Sequence, residues 1–95
     1  MIKSHTFRGH RWTFGRKSGK GNLGHCDAPH VRRRVMDIPL DGDTSEELRI
    51  ILHEGLHAAL WDLDEEAVHE TSSDLARLLW RLGWRKDDEP ERFTT

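Results

Sequence analysis

The sequence predicts an α+β domain in which a small three-stranded sheet packs on an antiparallel two-helix hairpin. Two observations predict this class. Before Pro39, apolar side chains recur at every second position, which is typical of strands, whereas between Thr44 and Gly83 they recur with a helical period that no proline interrupts. A chain of 95 residues has room for one domain, which we assign to residues 1–85, followed by a flexible acidic tail over residues 86–95.

The strands are expected at residues 6–14, 23–27 and 31–38. In the first, polar Arg11 and Thr13 separate side chains that we expect on one half-buried face, namely His10, Trp12 and Phe14. A glycine-rich loop over residues 15–22 leads to the second strand, and prolines follow the second and third strands. The order of strands and then helices favours an α+β arrangement over a parallel α/β sheet.

The helices are expected to begin at capping boxes. Thr44 and Glu47 have the spacing of such a box, which predicts a helix from Thr44 to about Trp61. A second capping box at Asp62 predicts a helix that ends near Gly83. Because only a few residues join the two helices, we expect them to pack antiparallel.

Composition and charge exclude several classes of protein. Hydrophobic residues make up 35% of the chain and the mean hydropathy is -0.78, so no stretch approaches the ~20 apolar residues of a membrane span. No apolar run for export follows Met1, and the single cysteine, Cys26, cannot form an internal disulfide. These features predict a cytoplasmic protein without a membrane partner.

The two parts of the chain carry opposite charges. Residues 1–40 contain 9 Lys+Arg and 2 Asp+Glu, whereas residues 41–95 contain 6 and 15. The basic part includes Arg32, Arg33 and Arg34, which favour contact with an acidic partner. No nucleic-acid-binding motif accompanies these charges, so nucleic acid is not the expected partner.

The most specific motif is H-E-x-x-H at residues 53–57, inside the first predicted helix. His53 and His57 are four residues apart and project from one helical face, so both imidazoles can reach one ion. Glu54 lies about 100° round the helix, where its carboxylate can accept a proton from metal-bound water. The motif therefore predicts Zn²⁺ bound by both histidines, with Glu54 as the catalytic base.

A catalytic zinc ion takes three protein ligands and keeps one position for water. The second helix offers His69 and Glu70. Stepping about 100° per residue from the buried Val68 puts His69 on the flank of the apolar stripe and Glu70 on the far side, which favours His69. Glu70 stays the alternative because it precedes Asp74 in an E-x-x-x-D pattern similar to that of thermolysin-type enzymes. Glu65 and Glu66 lie close to the predicted turn and are less favoured candidates.

These residues resemble the small H-E-x-x-H proteins of tailed bacteriophages, compact relatives of gluzincin and SprT-like metallopeptidases. The likeness runs from about Gly24 to Trp84 and centres on Leu52-His53-Glu54-Gly55-Leu56-His57-Ala58. The resemblance implies a zinc peptidase in which a three-stranded sheet packs on the motif helix. If the chain is phage-encoded, the expected location is the host cytoplasm. The expected substrate is a peptide or protein.

A second hypothesis keeps the metal but not the catalysis. In it, zinc stabilises a phage-type interaction module that contacts an acidic partner through the basic part of the chain. A structural zinc site is closed by four protein ligands, whereas a catalytic site keeps a water. The sequence leaves the oligomeric state and the natural substrate open.

Overall fold

The computed structural model describes residues 2–15, 24–39 and 44–86. It confirms the α+β class, with two helices and a mixed sheet of four strands instead of the three predicted. The predicted glycine-rich loop after Gly15, the turn over residues 41–43 and nearly all of the acidic tail lie outside the described residues.

The additional strand comes from a hairpin within the segment predicted as one strand. Strands β1, Ser4–Phe7, and β2, His10–Phe14, pair antiparallel around a turn at Arg8 and Gly9. Both turn residues have positive φ, 49° for Arg8 and 86° for Gly9. A two-residue hairpin turn of this kind needs positive φ at both positions, because its twist then matches that of the flanking strands. The prediction of a single strand was wrong here because Arg-Gly lacks the Asn-Gly or Asp-Gly signature of such turns.

The other two strands are short. Strand β3 is His25–Cys26 and β4 is Val35–Asp37, and the order across the sheet is β1-β2-β4-β3. β4 pairs parallel with β2 and antiparallel with β3, so β3 forms one edge of the sheet. The predicted third strand began too early: Val31 N–H donates to the Ala28 carbonyl in a turn that precedes β4.

The helices begin at side-chain caps. Helix α1, Ser45–Ala59, is capped as predicted by Thr44, whose hydroxyl accepts the Glu47 N–H at 3.1 Å. Helix α2, Glu65–Arg81, begins later than predicted, because Asp64 and not Asp62 accepts the N–H of the third helical residue. The end of α2 is confirmed near Gly83.

Helix α1 occupies the middle of the fold. It packs against β1 and β3 on one side and against antiparallel α2 on the other. The core between α1 and the sheet is formed by buried Trp12, Met36, Ile38 and Ala58, with four half-buried side chains against them: Phe7, Phe14, Cys26 and Ile51. Trp12 also donates its indole N–H to the Asp27 carbonyl at 3.0 Å, which ties β2 to the segment after β3.

Candidate metal centre

The histidines of the motif lie together on α1, as their spacing requires. Their ring centroids are 4.8 Å apart and both side chains are half-buried. Burial lowers the pKa of His53, since a charged imidazolium loses hydration there. The lowered pKa favours the neutral imidazole, which is the form that binds a metal ion.

A carboxylate from α2 meets both imidazoles. Glu65 is the first residue of α2, and its Oε1 and Oε2 lie 2.9 Å from His57 Nε2 and 3.1 Å from His53 Nε2, respectively. One ligand atom from each of the three residues fits within 4.8 Å of the others. In a tetrahedral site with bonds near 2.1 Å, ligand atoms stand roughly 3.4 Å apart, so this group can hold a metal ion.

The predicted third ligands lie outside this group. The His69 ring centroid is 6.3 Å from that of His53, and both His69 and Glu70 are exposed on α2. Glu65 carried a usable signal in the sequence. Three residues before Val68, it lies about 60° from the buried centre of the helix, closer than His69 at about 100°. Its position along the hairpin, near the turn, had counted against it.

Ser72 contacts His53 at Nδ1, the ring nitrogen that does not face Glu65. Its side chain is fully buried, its hydroxyl donates to the His69 carbonyl at 3.1 Å, and its oxygen lies 3.5 Å from His53 Nδ1. Because the hydroxyl proton is engaged, we assign the contact as His53 Nδ1–H donating to Ser72 Oγ. This tautomer leaves the Nε2 lone pair facing Glu65. Folding of the predicted hairpin places residues 68–72 opposite His57 and His53, but sequence reasoning searched this stretch only for metal ligands and gave Ser72 no role.

Glu54 lies on the side of α1 that faces the sheet. It is 6% exposed, and burial is the main cause that raises its pKa above the usual value for a glutamate. The negative charges of Glu65 and Asp37 act in the same direction, whereas His57 and His25 oppose them. A raised pKa brings a carboxylate closer to neutrality and makes it a better proton acceptor.

Glu54 shares a cleft with His53, one of the three candidate ligands. The cleft has a volume of about 350 Å³, and its lining includes Gly24, His53 and Glu54. Gly24 has φ of +101°, and a Cβ at this position would lie 3.3 Å from Glu54 Oε2. A side chain on residue 24 would therefore crowd the carboxylate, so glycine both fits the backbone and leaves room for Glu54.

The edge strand β3 borders the same region. His25 Nε2 lies 2.8 Å from Asp27 Oδ1, and the Val35 N–H donates to Asp27 Oδ2 at 2.9 Å, which fixes the carboxylate that holds the imidazole. Cys26 is different, since burial raises the pKa of its thiol to about 12. It stays protonated near neutral pH, which argues against a thiolate nucleophile or metal ligand here.

The fold and the site define an α+β domain with a candidate His-His-Glu metal centre. Comparison of the chain with protein-family models, with curated proteins and with solved structures found no match to any of them. Among the described residues, neither helix is long and apolar enough to cross a membrane. Further assignment therefore depends on the chemistry of the site itself.

Proposed function

We propose that the protein is a zinc-dependent hydrolase that cleaves a peptide bond, with His53, His57 and Glu65 as metal ligands and Glu54 as the base. One observation carries the proposal. The carboxylate of Glu65 lies within 3.1 Å of both Nε2 atoms, and the buried carboxylate of Glu54 lies in a cleft shared with His53. Two imidazoles and one carboxylate are the ligand set of several catalytic zinc sites.

A zinc ion in this group would polarise the substrate carbonyl and acidify water. The chain supplies the proton transfers. Glu54 accepts a proton from the attacking water on a carboxylate oxygen and then donates it to the leaving nitrogen. The partial burial of His53 and His57 limits competing hydration at their ligand atoms. Ser72 keeps the ring of His53 in the orientation that presents Nε2.

The position of β3 supports a peptide as the substrate. As the last strand in the order of the sheet, β3 offers one edge for backbone pairing, and Gly24 beside it lines the cleft with Glu54. An extended peptide that adds to this edge would run past the metal group, with its backbone amides held by main-chain hydrogen bonds. This agrees with the metallopeptidase resemblance in the motif.

Separate measurements of metal binding and turnover test the proposal. We expect one zinc ion per chain in the reconstituted wild type and in Glu54→Gln, but hydrolysis of a quenched-peptide library by the wild type alone. Glu47→Gln is the matched control, since it removes a carboxylate from the same face of α1 two turns earlier and should keep both properties. Equal hydrolysis by wild type and Glu54→Gln would exclude Glu54 as the base.

The ligand set has its own test. Glu65→Gln should bind zinc more weakly, whereas Glu66→Gln, at the next position, should bind it as the wild type does. His69→Ala and Glu70→Ala complete the series, because these residues are the ligands that the sequence predicted. Full zinc binding by Glu65→Gln, with loss in His69→Ala or Glu70→Ala, would return the third ligand to the sequence prediction.

A second candidate function is the binding of an acidic partner. A groove of about 800 Å³ on the sheet surface is lined in part by Arg11, Arg33 and Arg34. The guanidinium of Arg34 already donates hydrogen bonds to the Arg11 and Pro29 carbonyls, so its role is structural. Arg11 and Arg33 are exposed and are the cations that this candidate requires.

A charge-reversal experiment distinguishes the two functions. If acidic binding is the function, the double variant Arg11→Glu/Arg33→Glu should lose affinity for a poly-glutamate probe, and the zinc-loaded wild type should hydrolyse no peptide. Zinc bound by four protein ligands in spectroscopy of a cobalt-substituted sample would also favour this candidate, because a closed site leaves no position for water.

A further inference from the structure

The outer side of α2 carries an apolar stripe that the fold leaves exposed. Leu75, Leu78 and Leu82 follow one another at spacings of three and four residues and lie within about 60° of one another round the helix. Leu78 is 51% exposed and Leu82 65%. Trp84, just after the helix, is 65% exposed as well. Large apolar side chains grouped on a surface usually mark a contact with another molecule.

The end of α2 is held in place, so this stripe is a fixed surface. Gly83 has φ of +98°, and its N–H donates to the Trp80 carbonyl, while the Trp84 N–H donates to the Leu79 carbonyl at 3.0 Å. These two bonds form a Schellman motif, which closes the helix and fixes the backbone of Trp84 beyond Leu82. Trp84 itself lines a cavity with Leu79 and Trp80, so the exposed stripe consists of Leu75, Leu78 and Leu82.

The charges of α2 are divided along its length, with acidic residues first and basic residues last. The first ten residues of the helix carry only acidic charges apart from His69, at Glu65, Glu66, Glu70 and Asp74, and the residues from 77 to 86 carry only basic ones, at Arg77, Arg81, Arg85 and Lys86. Two such helices side by side attract one another when antiparallel and repel one another when parallel. A membrane surface fits less well, because surface helices that bind lipid carry mainly basic residues on their polar face.

We propose that two copies of this chain associate through antiparallel α2 helices, around a twofold axis close to Leu78. Asp74 and Arg81 border the same side of the stripe, four residues before Leu78 and three after it. The twofold axis places Asp74 of each copy, which already pairs with Arg77 of its own chain at 2.6 Å, beside Arg81 of the other copy. The interface is isologous, so each ion pair occurs twice. Dimerisation leaves His53 and His57 on α1 outside the contact, and the third ligand, Glu65, lies about 140° round α2 from Leu78.

Sedimentation analysis of the full chain across the micromolar range tests the association. We expect a monomer-dimer equilibrium for the wild type and at least a tenfold larger dissociation constant for Leu78→Glu, which places a charge at the axis. Leu60→Glu is the matched control, because Leu60 is also exposed but lies in the connection that joins α1 to α2. This variant should dimerise as the wild type does. A monomeric wild type, or equal dimerisation of Leu78→Glu and wild type, would overturn the proposal.

A charge exchange tests the antiparallel geometry even if Leu78→Glu fails to fold. Asp74→Arg should weaken the dimer, because it faces Arg81 of the second copy. Adding Arg81→Asp to the same chain should restore association, since both copies then carry the exchanged pair. Circular dichroism would verify that each variant is folded. Restored association supports the antiparallel interface, whereas a double variant as weak as Asp74→Arg contradicts it.

Discussion

The two helices break the usual rule of burial in opposite ways. α1, inserted between the sheet and α2, buries a carboxylate at Glu54 and half-buries two imidazoles, whereas α2 exposes leucines such as Leu78. Buried polar groups cost free energy, and a row of exposed leucines favours aggregation, so each departure needs a compensating contact. The comparison supports the two proposals, a metal ion bound at α1 and a second copy of the chain docked at α2.

The largest effect is expected when the metal site on α1 is disrupted. His53→Ala should abolish stoichiometric zinc binding. In the wild type, zinc at about 100 times its dissociation constant should add about 2.7 kcal/mol to the free energy of unfolding, and in the variant it should add almost nothing. Thermal melts with zinc and with a chelator measure this difference.

His69→Ala is the control for this experiment, since its ring lies outside the three-ligand group. It should keep the zinc-dependent rise in the melting temperature. Equal zinc stabilisation of wild type and His53→Ala would show that the ion binds elsewhere, and the contrast between the two helices would lose its explanation.

The next effect concerns the space beside Glu54. Gly24→Ala forces a Cβ into a left-handed backbone, at a cost of about 1–2 kcal/mol, and brings it 3.3 Å from Glu54 Oε2. Gly9→Ala isolates the backbone cost, because Gly9 has φ of +86° and its Cβ would meet nothing within 4 Å. Urea unfolding should therefore show a loss for both, and turnover should fall only in Gly24→Ala.

A fall in turnover for both glycine variants would mean that general destabilisation, and not contact with Glu54, lowers the activity. Unchanged turnover in Gly24→Ala would place the working carboxylate away from residue 24. Either result would separate the cleft beside β3 from the chemistry proposed for α1.

Features set by local chemistry were the ones that sequence could predict. The Thr44 cap, the end of α2 near Gly83 and the shared face of His53 and His57 each depend on residues within one or two turns of a helix. The Arg8-Gly9 turn was missed because an arginine with positive φ is held there by strand pairing, which is a tertiary effect.

The position of Glu65 shows a second limit of sequence reasoning. Spacing along the hairpin fixes which residues are level with one another, but not how far a long side chain reaches across the gap. Glu65 contacts both imidazoles from the first position of α2. The capping box predicted at Asp62 placed the start of this helix two residues too early. Ser72 depends on the same packing of two helices.

A smaller effect is expected from Ser72→Ala. Loss of the hydroxyl frees His53 Nδ1, and removal of such a partner lowers metal affinity by about 10-fold or more. Competition with a chromophoric chelator measures the affinity. Ser73→Ala is the matched control, because Ser73 is half-buried on the neighbouring side of α2 and should bind zinc normally. Equal affinities for the two variants would assign Ser72 to packing alone.

The smallest effect is a dependence of stability on pH in the metal-free protein. Burial raises the pKa of Glu54, so the folded state holds its proton more tightly than the unfolded chain does. The stability from this group is complete below the ordinary pKa of a glutamate, near 4.5, and is lost as pH rises through the raised pKa. Glu54→Gln carries no such loss, so its free energy of unfolding relative to wild type should increase from acidic to neutral pH.

Chemical denaturation at a series of pH values, with zinc removed by a chelator, measures this increase, and Glu66→Gln serves as the exposed control. Zinc should make the wild type more stable than Glu54→Gln at neutral pH, the reverse of their order without metal. A cation beside Glu54 stabilises its ionised form, and glutamine lacks this charge. Parallel curves for wild type and Glu54→Gln would mean that the carboxylate is well solvated in the apo state. The burial that distinguishes α1 from α2 would then have no electrostatic cost for a metal to offset.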